Sequence, residues 1–322
     1  MEDRRSFGVS TKKFIIQKII QLILALLFVT AITFILMRLS PIDAAEAYAR
    51  RSFRVSTEEI EIIREQMGLK KPLVIQYTNW LKDALRLDFG KSLVNNRDVF
   101  TEIVGAGKIT GLIVLLSTVI QAVGALIIGG ITYLTRHNLI GKALRFLAIA
   151  AISIPAFYLA TAFIDIAAVK WGLIGVAGNT GLMRYFPAAL CLAVGGIAFF
   201  GQLIEKAIDQ AMNEDSILYA RCRGLSERYI VVRYAVPQAV ISIIPTFMQM
   251  MGMCMAGSAI VENIFSLPGL GYLIIESLID RDLPIIFATV LYLAFALVLF
   301  NILADIVQRI LLKEQKEGMV KF

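Results

Sequence analysis

Six long apolar runs are the feature of this 322-residue sequence that most limits its fold. A helix needs about 20 mostly apolar residues to cross the hydrocarbon core of a membrane. In lipid, only helices and closed barrels satisfy all their backbone hydrogen bonds internally. The chain is 58% hydrophobic, whereas ordinary soluble domains are roughly 45–50% apolar. We therefore predict an all-α integral membrane protein with six transmembrane helices, at residues 14–39, 110–134, 144–169, 186–204, 239–261 and 285–311.

The first apolar run has two interpretations. Basic residues precede it, and an A-x-A-like site follows at residues 45–47, as in a secretory signal peptide. However, the apolar core of a signal peptide is only about 7–15 residues long, and this run is much longer. We therefore expect an uncleaved first span at residues 14–39.

The basic residues predict the orientation of the spans. Lys and Arg are enriched in short cytoplasmic loops, whereas long segments translocate largely regardless of their charge. We therefore predict a cytosolic N-terminal segment 1–13, an extracytoplasmic segment 40–108 and a cytosolic tail 313–322. The residues that decide this are Arg4, Arg5, Lys12, Lys13, Arg136, Lys142, Arg145, Arg309, Lys313, Lys316 and Lys321. The net charge of +7 is explained by Lys and Arg at the cytoplasmic ends of spans, next to the membrane lipid. It does not indicate nucleic-acid binding, since no basic stripe alternates with aromatic residues.

The segment 40–108 carries helix signals. Ser56 and Glu59 have the spacing of a capping box, and Gly68 follows the last turn of that helix. Pro72 is suited to begin a second helix that runs to about Leu87, before Gly90. This helical loop is either a structural cap on the bundle or a docking surface for an external partner, and one role does not exclude the other.

The loop 205–238, between the fourth and fifth runs, predicts a short helical hairpin. Gly224 permits the positive φ of a sharp turn after one helix. Ser226 is placed to cap the next helix, and Pro237 to bound it. An ordinary amphipathic loop at the membrane interface is the alternative.

This loop resembles the permease signature of binding-protein-dependent ABC importers. Ala220, Gly224 and Pro237 stand at the places of the alanine, glycine and proline of that signature, while Leu218 and Tyr219 occupy the region of its leading glutamate. Three other segments resemble the dipeptide, oligopeptide and nickel importer permeases: RLSPIDAA at 38–45, MGLKKPLVIQYTNWLKDALRLDFGKSL at 67–93 and IFSLPGLGYLIIESLIDRDLPII at 264–286. The resemblance extends over about residues 14–312.

The resemblance implies an ABC type I importer fold, with a core transmembrane domain at 110–312 that contains the coupling loop 205–238. It also implies the partners: a second homologous permease, two ATP-binding subunits and an extracytoplasmic substrate-binding protein. The expected contacts with the ATPase are Ala220, Arg221, Arg223, Gly224, Leu225 and Glu227. We expect no cofactor in this chain and no ATP hydrolysis by it, because it lacks a phosphate-binding G-x-x-x-x-G-K-[ST] loop. ATP and Mg²⁺ would be used by the partner subunits.

The fifth run contains a methionine-rich stretch, FMQMMGMCMAG at 247–257. Thioethers and thiolates are soft metal ligands, but methionine is also an adaptable packing residue. We predict a pliable wall of the translocation pathway and no metal site, with Met248, Met251, Gly252 and Met255 as pathway candidates. Glu262, near the end of this run, is expected to reach interfacial water.

The cargo stays open between peptides and nickel or another metal chelate. IDAAEAYARRS, after the first run, and NEDSILYARCRG, before the turn, resemble the nickel branch. The alternatives to an importer are an ATPase-independent channel and an intramembrane enzyme. The single histidine, His137, and the lack of an H-E-x-x-H motif argue against the enzyme. The expected location is the bacterial plasma membrane.

Overall fold

A computed structural model describes residues 11–39, 45–46, 57–66, 68–172 and 181–319. The described part of the chain is helical apart from turns and one isolated bridge between Lys91 and Asp98, which confirms the all-α prediction. The helices are α1 (Thr11–Arg38), α2 (Thr57–Gln66), α3 (Leu73–Ala84), α4 (Val99–Leu134), α5 (Leu139–Ser153), α6 (Ala156–Phe163), α7 (Phe186–Ala211), α8 (Asp215–Cys222), α9 (Glu227–Ile230), α10 (Val236–Ile264), α11 (Leu270–Asp280) and α12 (Leu283–Met319). Wider π-helical turns follow α6 at Ile164–Lys170 and α9 at Val231–Ala235, and a short 3-10 turn lies at Gly181–Arg184.

Five described helices are long and apolar enough to cross a membrane, at Ile16–Leu36, Val99–Leu134, Phe186–Ala211, Glu227–Ile264 and Leu283–Leu311. A sixth span results if the bent pair Leu139–Ser153 and Ala156–Ala167 is counted as one. The predicted count of six is thus reached, but two boundaries differ. The second span begins at Val99 instead of about 110, and the last helix runs on to Met319, through most of the predicted tail.

The third span is not the straight helix expected at 144–169. α5 and α6 meet at an angle of 95°, and between them Ile154 is extended, with φ −88° and ψ 120°. Pro155 follows it and has no N–H for the helical ladder, and its ring disfavours helical geometry at the preceding residue. The helix therefore ends before this proline.

The chain divides into two compact units, residues 1–108 with 269–302 and residues 109–268 with 303–322. The core of the first unit is formed by Val99, Ile103, Ala106, Leu270, Ile285 and Ala288. The second unit has one core around Phe200, Ile208 and Ile230, and another around Ile113, Ala188 and Leu267. In this second unit α4 and α7 approach closely, because a β-carbon at Gly129 would lie 2.6 Å from the carbonyl oxygen of Gly201.

The segment that was predicted to be a helical loop contains α2 and α3. Gly68 has φ +67°, and the N–H groups of Gly68 and Leu69 bond to the carbonyls of Glu65 and Arg64, which is the Schellman pattern. Pro72 precedes α3 as expected, while Ser56 lies outside the described residues. α3 ends at Ala84 and not at Leu87, because the chain already turns there and Leu87 has φ +61°.

A buried carboxylate holds the chain after α3 against the start of α12. Asp282 has no exposed surface and accepts hydrogen bonds from Ser92 Oγ at 2.5 Å and from the N–H of Leu93 at 3.2 Å. Its own carbonyl accepts the N–H of Ile286 in the first turn of α12. Asp282 therefore joins two segments of the first unit that are far apart in the sequence.

Candidate coupling hairpin and membrane pathway

The predicted hairpin is formed by α8, a turn at Gly224 and α9. Gly224 has φ +77°, and its N–H bonds to the carbonyl of Arg221 at 2.9 Å. The N–H of Leu225 bonds to the carbonyl of Ala220 at 3.4 Å, which completes a second Schellman pattern. A β-carbon at Gly224 would meet nothing within 4 Å. Backbone conformation, and not lack of space, is therefore what favours glycine here.

The second half of the hairpin differs from the prediction. Ser226 occupies the N-cap position of α9, but its side chain makes no capping hydrogen bond. Pro237 does not bound this helix: the backbone passes through the π-helical turn Val231–Ala235 and continues as α10. Pro237 lies in the first turn of α10, where a missing N–H is tolerated, and the wider preceding turn accommodates its ring. α9 is thus the first part of a continuous helical span of 38 residues, Glu227–Ile264.

Apolar burial fixes the hairpin to the rest of the second unit. Ile217 and Ile230 have no exposed surface, and Ala220 is 3% exposed. They belong to one buried cluster with Phe200 of α7 and Ala239 of α10. Since protein cores are packed about as densely as organic crystals, a displacement of the hairpin has to be shared by the ends of α7 and α10.

An ion pair closes the turn on its exposed side. Arg221 Nε lies 2.7 Å from Glu227 Oε1, and a second guanidinium nitrogen of Arg221 lies 3.2 Å from Glu227 Oε2. Hydrogen bonding to this carboxylate raises the pKa of the Arg221 guanidinium above its usual value. Both side chains are exposed, so water and salt screen the pair. The ion pair therefore orients the two sides of the turn but contributes little to the stability of the fold.

The six predicted ATPase contacts divide into two groups. Arg221, Arg223, Gly224 and Glu227 are exposed, whereas Ala220 and Leu225 pack against the core cluster. Ala220 and Leu225 thus position the hairpin, and the exposed four are available to a partner.

The hairpin also exposes apolar side chains that are not among the six predicted contacts. Tyr219 is 68% exposed and Leu218 is 59% exposed. The guanidinium carbon of Arg223 lies 5.9 Å from the ring centroid of Tyr219. The available signal was the spacing of Ile217 and Ala220, which places both on one side of α8 and leaves Leu218 and Tyr219 on another.

The methionine-rich stretch lies in α10, and the four residues predicted to line the pathway are buried or partly buried within this chain. Gly252 and Met255 are buried, Met248 and Met251 are partly buried, and Met253 is 60% exposed. Gln121 donates a hydrogen bond to Cys254 Sγ at 3.7 Å and another to Ser117 Oγ at 2.9 Å. Within the described ranges, no group of three or more His, Cys, Asp or Glu side chains is placed to hold a metal ion.

Glu262 does not reach interfacial water, so that expectation was wrong. It has no exposed surface, and its Oε1 accepts hydrogen bonds from Thr110 Oγ1 and Ser258 Oγ, both at 2.8 Å. The reason is helical spacing, because Gly252, Met255, Ser258 and Glu262 follow one another at intervals of three or four residues. The polar carboxylate therefore continues the buried face that the methionines begin.

Comparisons with known proteins agree with this architecture. Residues 106–316 match the family described as the binding-protein-dependent transport system inner membrane component. Residues 11–106 match the family described as the N-terminal part of the membrane component of binding-protein-dependent transport systems. The nickel import system permease protein NikB of Staphylococcus aureus strain MRSA252 is 28% identical over 305 residues, which cover 94% of this chain and 92% of the relative. The NikB proteins of strains USA300 and NCTC 8325 are 27% identical with the same coverage. The chain belongs to the family of inner-membrane components of binding-protein-dependent transport systems.

Proposed function

We propose that this permease forms half of the translocation pathway of an ATP-driven importer of nickel complexes, and that the hairpin α8–α9 couples it to an ATPase. The observation that carries the coupling is the position of the hairpin. It is a sharp turn with an exposed tip, and its buried side belongs to the same core as α7 and α10. A displacement of the exposed tip by a partner would therefore be transmitted to α7 and α10 through this shared core.

The proposed transmission uses two connections. Ile217 and Ala220 of α8 share a core with Phe200 of α7, so these elements move together. α9 continues into α10, so a change in its tilt is carried along a helix that crosses the membrane. Packed cores favour a small number of discrete arrangements over continuous deformation. Alternating access would follow from two such arrangements, with ATP and Mg²⁺ bound by the partners.

The exposed tip has the composition of a protein contact. Tyr219, Leu218 and Arg223 are exposed together on α8 and just after it. Tyrosine and arginine are enriched among residues that dominate binding energy at interfaces. We assign this surface to the cleft of an ATP-binding subunit. A second homologous permease, a second ATP-binding subunit and an extracytoplasmic substrate-binding protein complete the proposed importer.

The cargo is proposed from the relatives, which are nickel import system permease proteins. We propose a nickel complex and not the bare ion, because a chelated ion requires only a pathway of suitable shape and polarity from the permease. Peptides are the second candidate, since the segments 67–93 and 264–286 resemble peptide importer permeases equally well.

The test is transport by the complete importer in proteoliposomes, with ATP inside and the binding protein outside. Uptake of radioactive nickel, supplied with chelators, is compared with uptake of labelled di- and tripeptides. We expect nickel complexes to be taken up and to stimulate ATP hydrolysis. Uptake of peptides alone would contradict the cargo and leave the coupling intact.

The coupling is tested by Gly224→Asp, with Cys222→Ser as its control on the same exposed turn. We expect Gly224→Asp to assemble in the membrane but lose ATP-driven uptake, and Cys222→Ser to transport normally. Normal uptake by Gly224→Asp would contradict the proposed role of the hairpin.

A further inference from the structure

Helix α3 lies beside the first span at a depth unexpected for an external loop. Tyr77 Oη lies 2.9 Å from Thr30 Oγ1 and 3.3 Å from the carbonyl oxygen of Leu27. Both partners belong to the apolar span Ile16–Leu36 of α1. At a rise of 1.5 Å per residue, Thr30 lies about 9 Å and Leu27 about 14 Å along the axis from Leu36. The hydrocarbon core is about 30 Å thick, so the tyrosine hydroxyl reaches well into it.

Aromatic contacts confirm that α3 packs against two spans. The ring of Phe34 in α1 lies 5.6 Å from that of Tyr77 and 5.6 Å from that of Phe287 in α12. Trp80 lies 5.5 Å from Phe287. Tyr77, Trp80 and the buried Ala84 thus form one face of α3, turned towards α1 and α12.

The remaining surface of α3 has two different sides. Gln76, Asn79 and Asp83 follow one another at helical spacing and form a polar side. A second side is apolar and follows the positions i, i+4, i+7 and i+11. We call it the apolar stripe, and it consists of Val74, Thr78, Leu81 and Leu85. Val74 is 72% exposed and Leu85 is 79% exposed.

The one hydroxyl of the apolar stripe is already satisfied. Thr78 Oγ1 donates to the carbonyl of Ile75 at 3.1 Å. The stripe therefore brings no unmet polar group into an apolar medium, where such a group costs several kcal/mol. An exposed apolar stripe opposite a polar side is typical of a helix whose apolar side is covered by lipid or by protein.

We infer that α3 is immersed in the membrane at the Leu36 end of α1, with the apolar stripe against the acyl chains of one leaflet. The occupant is lipid because the stripe adjoins a span that is itself apolar and exposed. In α1, Phe28 is 66% exposed and Leu24 is 60% exposed, so this chain leaves the apolar surface of the span open to acyl chains. Long basic side chains such as Lys82 and Arg86 can extend to the headgroups, as in other interfacial helices.

This inference is tested by fluorescence quenching in the complete importer. Trp80 and Trp171 are replaced by Phe, and one Trp is introduced into this chain as Val74→Trp or Leu85→Trp. The emission of an importer whose permease has neither the native nor the introduced Trp is subtracted as the contribution of the partner subunits. Trp80 Nε1 has no hydrogen-bond partner among the described residues, so Trp80→Phe removes no such bond. The importer is reconstituted in bilayer discs whose phospholipids are brominated along the acyl chains, and iodide is then added to the water.

We expect Val74→Trp and Leu85→Trp to lose as much emission to brominated lipid as Phe28→Trp, the reference on α1. Asn79→Trp, on the polar side of the same helix, should instead be quenched by iodide. Leu85 follows the end of α3, so Leu85→Trp keeps the test decisive if Val74→Trp does not assemble. Iodide quenching of both stripe variants would overturn the inference. Quenching by neither agent would also overturn it, because the stripe would then be covered by protein.

Discussion

Two segments of this protein use the same backbone turn for different purposes. The turn after α2 has Gly68 with φ +67°, the turn after α8 has Gly224 with φ +77°, and both contain the Schellman pair of hydrogen bonds. After Gly224 the chain is held by fully buried aliphatic side chains such as Ile230. After Gly68 it is held by aromatic rings and the hydroxyl of Tyr77, while α2 itself has exposed ion pairs. The same local turn is therefore compatible with two different kinds of attachment, one by buried aliphatic side chains and one by aromatic and polar contacts.

The largest expected effect is the loss of the aliphatic anchor of the hairpin. Ile230→Ala should lower the free energy of unfolding by about 2–5 kcal/mol, because it leaves a cavity in a packed core. It should also reduce uptake more than ATP hydrolysis. Thermal unfolding and transport of the purified importer measure both. Ile62→Ala is the control in α2, where the side chain is 56% exposed, and should change stability by only about 0.5 kcal/mol.

The second prediction compares the two glycines directly. Gly68→Ala and Gly224→Ala should each cost about 1–2 kcal/mol, since both positions require a left-handed backbone. A β-carbon has room at both, with Lys71 Cδ at 3.9 Å from that of Gly68. We expect similar losses of stability but a loss of ATP-driven uptake in Gly224→Ala alone. Equal losses of uptake would remove the distinction between the two segments.

The third prediction concerns the attachment of α3. Tyr77→Phe keeps the ring beside Phe34 and removes the hydroxyl bonded to Thr30, which should cost about 0.5–1.5 kcal/mol. Thermal unfolding in lipid discs provides the measurement. Tyr219→Phe is the matched control on the hairpin, where the ring is 68% exposed and no measurable change is expected. A loss from Tyr77→Phe no larger than that from the control would indicate that the hydroxyl of Tyr77 contributes little.

The smallest expected effect is a pH dependence confined to α2. Hydrogen bonding to Lys70 is the largest cause that lowers the pKa of Glu61 below its usual value of 4.5. A lowered carboxyl pKa gives stability that is present above pH 4.5 and lost as the pH falls through the folded-state pKa. Amide hydrogen exchange in α2, corrected for intrinsic rates, should therefore be protected equally at neutral pH and pH 5 and less at pH 3. Glu61→Gln should remove this pH dependence. If the variant still loses protection at pH 3, another titrating group is responsible.

Local signals in the sequence predicted much of this structure. The length of the apolar runs predicted the spans, and Gly68 and Gly224 predicted two turns. These predictions succeeded because each depends only on neighbouring residues in the sequence. Pro155 and Pro237 have different effects that the neighbouring residues did not predict. Pro155 interrupts its span, whereas Pro237 lies within a continuous one, because a wider turn precedes it. Nothing local to either proline distinguishes the two outcomes.

The misplaced residues were those with distant partners. Glu262 was expected at the interface, but Thr110, on another helix, makes its buried position possible. The attachment of α3 to α1 depends on Tyr77 and Thr30, which are 47 residues apart. Contacts of this kind depend on how helices pack, and the periodicity of one helix does not encode them.

The carboxylate of Glu262 also bears on the order in which the membrane accepts these helices. Scales derived from insertion experiments give a cost of about 2.5–3.5 kcal/mol for a charged residue at the centre of an isolated span. Glu262 lies near the end of its span, so its cost is smaller but of the same sign. Ser258 supplies one hydroxyl from the same helix, and Thr110 supplies another from a helix made 152 residues earlier. Synthesis from the N-terminus therefore delivers the partner first. The later helix leaves the insertion machinery into a bilayer that already holds a hydroxyl for its carboxylate.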